Sequence, residues 1–374
     1  MIGPLPFSLF VNPRAGIPGI VVLPAAGFRR AKAEITSWPD YAPTPLRDLP
    51  EIARAAGLGT VRLKDEAGRF GLGSFKALGG AYAVAELLRG QRAPHAVTVT
   101  CATDGNHGRA VAWGARRCGC RCVVFVHETV SPGRAAAITE LGAELRRVPG
   151  TYDDAVREAD RVAREEGWSV ISDTSWPGYL EVPRRVMQGY RLMADEAIDQ
   201  WDGTAPSHVF VQAGVGGAAA AVAVQLRARL APSPALIVVE PDRAACLLAS
   251  AELGTLTSVP GALDTVMAGL ACGEPSLLAW QELDRSAAAF MAVPDEAAAP
   301  SMRLLADAGI VAGESGVAGL AALLLAAADP AAQAALGLGA ESRVLLFGTE
   351  GATDAAAYER LVGRPAAAVA GRAG

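Results

Sequence analysis

The stretch HVFVQAGVGGAAAAVAVQLRARL, residues 208–230, combines a short apolar strand, a glycine turn and an alanine-rich helix. Gly214, Gly216 and Gly217 allow the backbone to turn tightly between the strand and the helix. The free N–H groups at the start of such a helix form a site that favours an anion. The stretch therefore predicts either a phosphate-binding turn or a plain connection between strand and helix.

The same succession of strand, turn and helix recurs along the chain. β-Branched runs begin at residues 96 (AVTVTCA), 122 (CVVFV), 235 (ALIVVE) and 343 (RVLLFGT), and segments with helical patterns separate them. This alternation predicts βαβ units and mostly parallel sheets, so the fold class is α/β. The chain of 374 residues is long enough for two or three domains of ~150 residues.

A nicotinamide dinucleotide is one alternative ligand for the glycine turn. Glu240 follows Gly216 by 24 residues, where a dinucleotide-binding fold carries its ribose-binding acid. However, Ala219 stands where the third glycine of the GxGxxG pattern belongs. An oxidoreductase of this kind would also give no role to Lys76, which lies in a second glycine-rich segment of the chain.

The segment RFGLGSFKALGG, residues 69–80, places Lys76 in a glycine-rich turn between two apolar segments. Burial removes water from a lysine, so we expect the pKa to fall and the neutral amine to attack aldehydes. An aldehyde that also carries a phosphate is pyridoxal 5′-phosphate (PLP), which would unite the lysine and the glycine turn in one site. A structural lysine that extends to the surface is the alternative.

The composition argues against several classes of function. The net charge of −5, with scattered lysines and arginines, argues against a nucleic-acid partner. The longest apolar stretch, residues 316–328, is shorter than the ~20 residues of a membrane span, so we expect no membrane partner. Six cysteines without CxxC spacing and four histidines predict no metal site and no disulfide scaffold. We expect a reduced, cytoplasmic setting.

Nine motifs between about Tyr41 and Asp354 occur in the order of one known family: KDEAGRFGLGSFKALGG, TCATDGNHGRAVAWGA, TYDDA, ISDTSWPGY, QGYRLMADE, VQAGVGG, VMAGLACGEPS, AGESGVAGL and GTEGATD. Through them the chain resembles the fold-type II PLP-dependent enzymes, and within these the diaminopropionate ammonia-lyases. The resemblance implies PLP as the cofactor, a small amino-acid substrate and a homodimer.

The resemblance also implies a domain organisation. Two doubly wound α/β domains are expected, with mostly parallel sheets and with the smaller domain inserted in the larger. The large, PLP-binding domain would comprise residues 1–85 and 185–374, and the small domain residues 86–184. Because alanine, glycine and arginine dominate the last twenty residues, we expect a flexible tail over residues 355–374.

Individual positions receive roles from the same resemblance. Lys76 matches the lysine that holds PLP as a Schiff base, and Asn106 matches the residue beside the pyridine 3′-oxygen. The phosphate loop is matched by Gly214, Val215, Gly216 and Gly217. Thr349 falls where a small polar residue faces the pyridine nitrogen. A neutral partner there would leave that nitrogen unprotonated, which suits elimination better than transamination.

Two aspartates, Asp104 and Asp173, are further candidates for the catalytic site. Many relatives have serine or alanine at the position of Asp104, and a substrate with a β-ammonium would attract carboxylates. Either aspartate could instead cap a turn or a helix. The resemblance implies use of both enantiomers, which needs a base on each face of the cofactor. We expect Asp104 to serve the D-isomer and Asp173 the L-isomer, although Lys76 could replace one of them.

The predicted reaction is α,β-elimination of 2,3-diaminopropionate, as the D-isomer, the L-isomer or both, to pyruvate and ammonia by a PLP-dependent carbon–nitrogen lyase. A serine or threonine ammonia-lyase of the same fold is the alternative within the family. An oxidoreductase that uses Glu240 and a PLP-free scaffold are alternatives outside it. Cys246 and Cys272 are expected to lie close together as reduced thiols.

Overall fold

The computed structural model describes residues 3–103 and 105–370, so Asp104 lies outside the described residues. Eleven β-strands occur within these ranges. They are β1 (Ser8–Val11), β2 (Leu46–Asp48), β3 (Thr60–Asp65), β4 (Thr98–Ala102), β5 (Arg121–His127), β6 (Glu144–Val148), β7 (Ser169–Val170), β8 (His208–Gln212), β9 (Ala235–Pro241), β10 (Ala289–Val293) and β11 (Arg343–Gly348).

The strands form two sheets. A seven-stranded sheet has the order β1-β10-β9-β8-β11-β3-β2, and a four-stranded sheet has the order β6-β5-β4-β7. The pairs β1–β10 and β2–β3, at the two edges of the larger sheet, are antiparallel, and the other recorded pairs are parallel. The predicted α/β class with mostly parallel sheets is confirmed. The sequence patterns did not predict β1, β2 or β10.

Fifteen α-helices cover the sheets within the described ranges. They are α1 (Ala25–Thr36), α2 (Pro50–Ala55), α3 (Ala77–Leu88), α4 (Asn106–Cys118), α5 (Pro132–Thr139), α6 (Tyr152–Glu166), α7 (Glu181–Gln200), α8 (Gly217–Arg229), α9 (Cys246–Leu253), α10 (Leu277–Ser286), α11 (Ala298–Asp307), α12 (Ala318–Ala328), α13 (Pro330–Leu336), α14 (Ala355–Val362) and α15 (Ala366–Ala370).

Local sequence sets the helix ends, as α6 illustrates. The Thr151 hydroxyl accepts a hydrogen bond from the backbone N–H of Asp154, and the Asp154 carboxylate accepts one from the N–H of Thr151. This reciprocal capping satisfies two N–H groups that have no partner inside the helix. At the other end, Gly167 adopts a left-handed conformation that stops the helix.

Glycines allow α3, which begins directly after Lys76, to pack closely against α7. A Cβ atom at Gly189 would lie 1.8 Å from the carbonyl oxygen of Leu78, and one at Gly79 would lie 2.4 Å from the Tyr190 ring. A larger residue at Gly189 would have to move the backbone, and one at Gly79 would have to move the buried Tyr190 side chain. The glycines of QGY and ALGG therefore fix the distance between the two helices, and with it the position of the lysine turn.

The two sheets relate simply to the domains predicted from the sequence. All strands of the four-stranded sheet lie between residues 98 and 170, and the strands of the seven-stranded sheet lie outside that range. Both facts agree with a small domain at 86–184 inserted in a larger one. The exact division stays a prediction.

The end of the chain differs from the flexible tail that we expected. Residues 355–370 contain α14 and α15, and the side chains of Tyr358 and Val369 are buried. Asp354 caps α14 by accepting a hydrogen bond of 3.0 Å from the N–H of Ala357. These apolar contacts and the cap order a segment whose composition alone suggested fraying. The remaining four residues of the predicted tail lie outside the described part of the chain.

No single helix in the described ranges has the length and hydropathy of a membrane span. The helices α12 and α13 meet that criterion only when they are counted together, and a bend of 110° separates them.

Candidate active site

The pocket lies where the carboxyl ends of strands from both sheets face each other. Loops after β4 and β7 of the smaller sheet and after β8 and β11 of the larger sheet line it. In doubly wound sheets this edge, at the point where the strand order reverses, is the usual place for a ligand. The predicted residues that line this pocket are Lys76, Asn106, Asp173, Gly214, Val215, Gly216, Gly217 and Thr349.

Lys76 is held by one carboxylate and two aromatic rings. Its Nζ lies 2.6 Å from Oδ2 of Asp173. The same ammonium lies 5.5 Å from the ring centre of Phe75 and 5.9 Å from that of Tyr190. The side chain of Lys76 is 22% exposed and that of Asp173 is 11% exposed, because both face the pocket. The structure thus joins two predicted catalytic residues that are 97 positions apart.

The expected net fall in the pKa of Lys76 is wrong, although burial itself acts in the expected direction. Burial opposes the charge of the ammonium, but the charge and hydrogen bond of Asp173, together with Tyr190 and Cys272, outweigh burial, so the pKa of Lys76 is raised. Burial likewise opposes the charge of Asp173, but the charge and hydrogen bond of Lys76, together with His107 and a backbone hydrogen bond, outweigh burial, so the pKa of that carboxyl lies well below its usual range. The two groups therefore form an ion pair at neutral pH, and the amine must lose its proton before it can act as a nucleophile.

His107 also faces Asp173, and the sequence analysis did not include it in the site. Its Nε2 lies 2.8 Å from the carbonyl oxygen of Ile171, and its Nδ1 lies 3.8 Å from Oδ2 of Asp173. Because a carbonyl oxygen can only accept, Nε2 carries a proton. Its position in the TDGNHG turn, immediately after Asn106, is the feature of the sequence that could have indicated His107 as a site residue.

The glycine loop between β8 and α8 has the geometry of an anion site. Gly216 adopts a φ of +93°, and a Cβ at this position would lie 3.0 Å from side-chain carbons of Leu247 and Ala279. A Cβ at Gly214 would lie 2.9 Å from Sγ of Cys272. The loop thus requires glycine at these positions, and the N–H groups of the first turn of α8 are directed toward the pocket end of the helix. These residues fit a phosphate group.

Thr349, at the carboxyl end of β11, is held by a residue that the sequence analysis missed. Nε2 of Gln212 donates hydrogen bonds to Oγ1 of Thr349 and to the carbonyl oxygen of Phe347, both at 2.7 Å. Because Oγ1 accepts from Gln212, the Thr349 hydroxyl keeps its own hydrogen for another acceptor. The structure therefore supplies a neutral donor at this position.

Glu240 does not lie at the pocket, which removes the support for a dinucleotide site. It is fully buried, and its two carboxylate oxygens each accept a hydrogen bond of 2.8 Å from the N–H groups of Leu247 and Leu248. These donors belong to the first turn of α9. Glu240 thus caps a helix. Burial raises its pKa to about 8 and keeps the carboxylate out of contact with a ribose in the pocket.

Five other pocket residues belong to the nine motifs but were not predicted to be part of the site. They are Tyr152, Tyr190, Cys272, Ser315 and Glu350. Cys246 and Cys272 are not joined by a disulfide bond in this structure. Sγ of Cys246 lies 3.8 Å from the carbonyl oxygen of Gly214, so both thiols lie beside the same loop residue. Within the described ranges, no three His, Cys, Asp or Glu side chains form a group that could hold a metal ion.

Comparisons with known proteins agree with this geometry. Residues 38–350 match the family of pyridoxal-phosphate dependent enzymes. Over 348 residues the chain is 40% identical to the diaminopropionate ammonia-lyase of Escherichia coli (strain K12). The matched region covers 86% of this chain and 87% of that relative.

Two solved structures are similar over almost the whole chain. Holo diaminopropionate ammonia lyase from Escherichia coli has a TM-score of 0.90 and 35% identity, covering 97% of this chain and 98% of that one. The same Escherichia coli enzyme in complex with an aminoacrylate-PLP azomethine reaction intermediate has a TM-score of 0.89 and 36% identity, covering 96% and 97%. The chain therefore belongs to the family of pyridoxal-phosphate dependent enzymes, within the fold-type II group that includes the diaminopropionate ammonia-lyases.

Proposed function

We propose that the protein catalyses the PLP-dependent α,β-elimination of 2,3-diaminopropionate to pyruvate and ammonia. The observation that carries the proposal is the Lys76–Asp173 ion pair in one pocket with the glycine loop of α8. A nucleophilic amine, an acid–base carboxylate and a phosphate site are the three elements that this elimination requires. The relatives of known activity have the same reaction in their names.

The residues for the cofactor follow from the pocket. Lys76 would hold PLP covalently, the loop 214–217 would bind its phosphate, and Asn106 and Thr349 would contact its ring. When bound, PLP supplies an electron sink for the carbanion that forms at the α-carbon. The Thr349 hydroxyl, which already accepts from Gln212, would donate its hydrogen to an unprotonated ring nitrogen. This neutral contact favours elimination over transamination.

Proton transfer falls to the side chains around the α- and β-carbons of the substrate. The amine of Lys76, once released, can remove or return a proton on its side of the pocket. Asp173 can form an ion pair with a nearby ammonium, as it does with that of Lys76. The same carboxylate would attract the β-ammonium of diaminopropionate, which serine and threonine lack.

Asp104 remains a proposed base for the D-isomer and Asp173 a proposed base for the L-isomer. The support is a stereochemical argument, because enantiomers bound through one carboxylate present their α-protons to opposite faces of the cofactor. Asp173→Asn should then reduce kcat/KM mainly for the L-isomer, and Asp104→Asn mainly for the D-isomer. Equal losses on both isomers would show that these residues bind the β-ammonium or support the fold.

An assay of pyruvate release tests the proposed reaction directly. Purified holoenzyme is supplied with D- and L-diaminopropionate, and in parallel with D- and L-serine and with threonine. The proposal expects the highest kcat/KM with a diaminopropionate isomer. A higher value with serine or threonine would assign the protein to the ammonia-lyases of hydroxy amino acids instead. Protein that shows no PLP absorbance, and none after PLP is added, would contradict the whole proposal.

A cytoplasmic homodimer completes the proposal. Large apolar side chains are exposed in the N-terminal segment and near the end of α9: Val11, Ile17, Ile20, Val21, Leu253 and Leu256. The guanidinium of Arg14 donates a hydrogen bond of 2.8 Å to the carbonyl oxygen of Ala251, so the two segments adjoin. Contiguous exposed apolar surface is typical of protein contacts. Light scattering should give twice the chain mass, and a monomeric mass would exclude the dimer.

A further inference from the structure

Glu350 is a buried carboxylate at the pocket to which the proposed function gives no task. It follows Thr349 directly after β11, and 4% of its surface is exposed. Its two oxygens have separate partners. Oε2 accepts a hydrogen bond of 2.5 Å from Nδ2 of Asn106, and Oε1 accepts one of 3.0 Å from the backbone N–H of Ser315.

The chain is shaped to hold Glu350 in this place. A Cβ atom at Gly313 would lie 3.0 Å from Oε1 of Glu350, and one at Gly316 would lie 2.8 Å from its carbonyl oxygen. The N–H of Gly313 donates to that carbonyl at 3.0 Å. On its other side, the backbone of Glu350 forms an antiparallel bridge with Ser74, two residues before Lys76. Glu350 thus joins the lysine turn, the asparagine turn and the segment 313–316.

The chemistry of these contacts requires a carboxylate. Both partners are N–H donors, and a carboxylate can accept on both oxygens, whereas a glutamine has one acceptor oxygen and one donor group. The carboxylate also fixes the amide of Asn106. Because Glu350 can only accept, the Nδ2 side of that amide must face it and Oδ1 must point away. One hydrogen of Nδ2 remains for a second acceptor.

We propose that Glu350 is a positioning residue that sets the amide orientation of Asn106. The proposal rests on the proposed function, in which Asn106 lies beside the 3′-oxygen of PLP. In the orientation that Glu350 imposes, Asn106 keeps a donor for that oxygen. In the rotated orientation the amide would present its own oxygen there, and two acceptors would repel each other. Glu350 therefore acts on the cofactor through Asn106, across the boundary between the two sheets.

Glu350→Gln in the holoenzyme is the first test. The glutamine has nearly the same volume. If its oxygen keeps the contact with the Ser315 N–H, its Nε2 faces Asn106, and Asn106 regains a hydrogen bond only by rotating its amide. We expect the absorbance maximum of the bound cofactor to shift, and the Kd of PLP to rise about tenfold (~1.4 kcal/mol). The midpoint of thermal unfolding should stay near that of the wild type, because every hydrogen bond within the protein is replaced.

A double-mutant cycle with Asn106→Ala separates positioning from plain structural support. If Glu350 acts through Asn106, then Glu350→Gln should add no further change in absorbance or in the Kd of PLP once Asn106 is alanine. Additive losses would overturn the proposal, as would a Glu350→Gln enzyme with wild-type absorbance and affinity. In those cases wild-type protein that binds PLP and releases pyruvate leaves the proposed function intact. Wild-type protein that binds no PLP would overturn both.

Discussion

In this chain, the more deeply buried of two lysines, twelve positions apart, is not the lysine at the candidate active site. Lys64 in β3 is completely buried, whereas the side chain of Lys76 is 22% exposed. Nζ of Lys64 has three acceptors, the carbonyl oxygen of Thr44 at 2.6 Å, Oε2 of Glu196 at 2.8 Å and Oε1 of Gln200 at 2.9 Å. Because an ammonium has three hydrogens, this group is fully used.

The two ammonium groups also differ in the residues that surround them. Lys64 belongs to a closed network in which Arg69 also pairs with Glu66 and Glu196, both at 2.7 Å. Lys76 has one carboxylate partner and otherwise faces rings and a cavity. Burial lowers the pKa of Lys64, with Glu196 opposing the change, while Asp173 raises the pKa of Lys76. A search for a nucleophile by burial alone would choose Lys64. Two other features identify Lys76 as the candidate nucleophile: its ammonium lies at a cavity, and it has an unused hydrogen.

The largest effect should come from Lys76→Ala. Removing the lysine that we propose to hold PLP should abolish the absorbance of the bound cofactor and lower kcat by several orders of magnitude. Absorbance after dialysis and pyruvate release measure both changes. A variant that keeps its absorbance and activity would show that the contrast between the two lysines has no functional meaning.

Lys64→Met should have the opposite profile. Removing one partner from a buried ion pair costs about 3–5 kcal/mol, and we expect the lower end because Arg69 still neutralises Glu196. Urea unfolding followed by circular dichroism measures this loss in the free energy of unfolding. Activity per mole of folded protein should stay close to the wild type. Unchanged stability, or a selective loss of activity, would contradict a purely structural role.

Asp173→Asn sharpens the comparison through pH. Only the neutral amine of Lys76 reacts with an aldehyde, and Asp173 raises the pKa of that amine. In the wild type, the rate of covalent PLP capture by apo-enzyme should therefore still be rising with pH above neutrality. Without the carboxylate the pKa of Lys76 falls, and the same rise should occur about one pH unit lower or more. Stopped-flow absorbance at a series of pH values gives both profiles, and identical profiles would refute the role of Asp173.

The smallest effect is expected at the surface. The side chains of Arg54 and Glu51 form an ion pair on α2, yet they are 71% and 80% exposed. Water and salt screen such a pair, so Glu51→Gln should change the free energy of unfolding by no more than about 0.5 kcal/mol. Urea unfolding in parallel with Lys64→Met makes the comparison. A loss of similar size in both variants would mean that burial does not decide the strength of these pairs.

The fold could be predicted further than the site because its signals are local. The glycine turn after β8 and the alternation of β-branched and helical segments depend on neighbouring residues, and they predicted the α/β class, the parallel sheets and the turn between β8 and α8. The failures have tertiary causes. The strands β1, β2 and β10 have weak local patterns and are defined by their pairing. Residues 355–370 are ordered by burial of Tyr358 and Val369.

The sequence by itself determined which residue types stand at the strand ends: a lysine turn, an asparagine turn, a glycine loop and a threonine. Only the tertiary structure decided how these residues are charged and paired. Lys76 meets Asp173 across 97 positions, and Asn106 meets Glu350 across 244. The caps on α9 use both oxygens of Glu240. Backbone conformation follows from local sterics, whereas a pKa or the orientation of an amide depends on groups that folding brings within 3 Å.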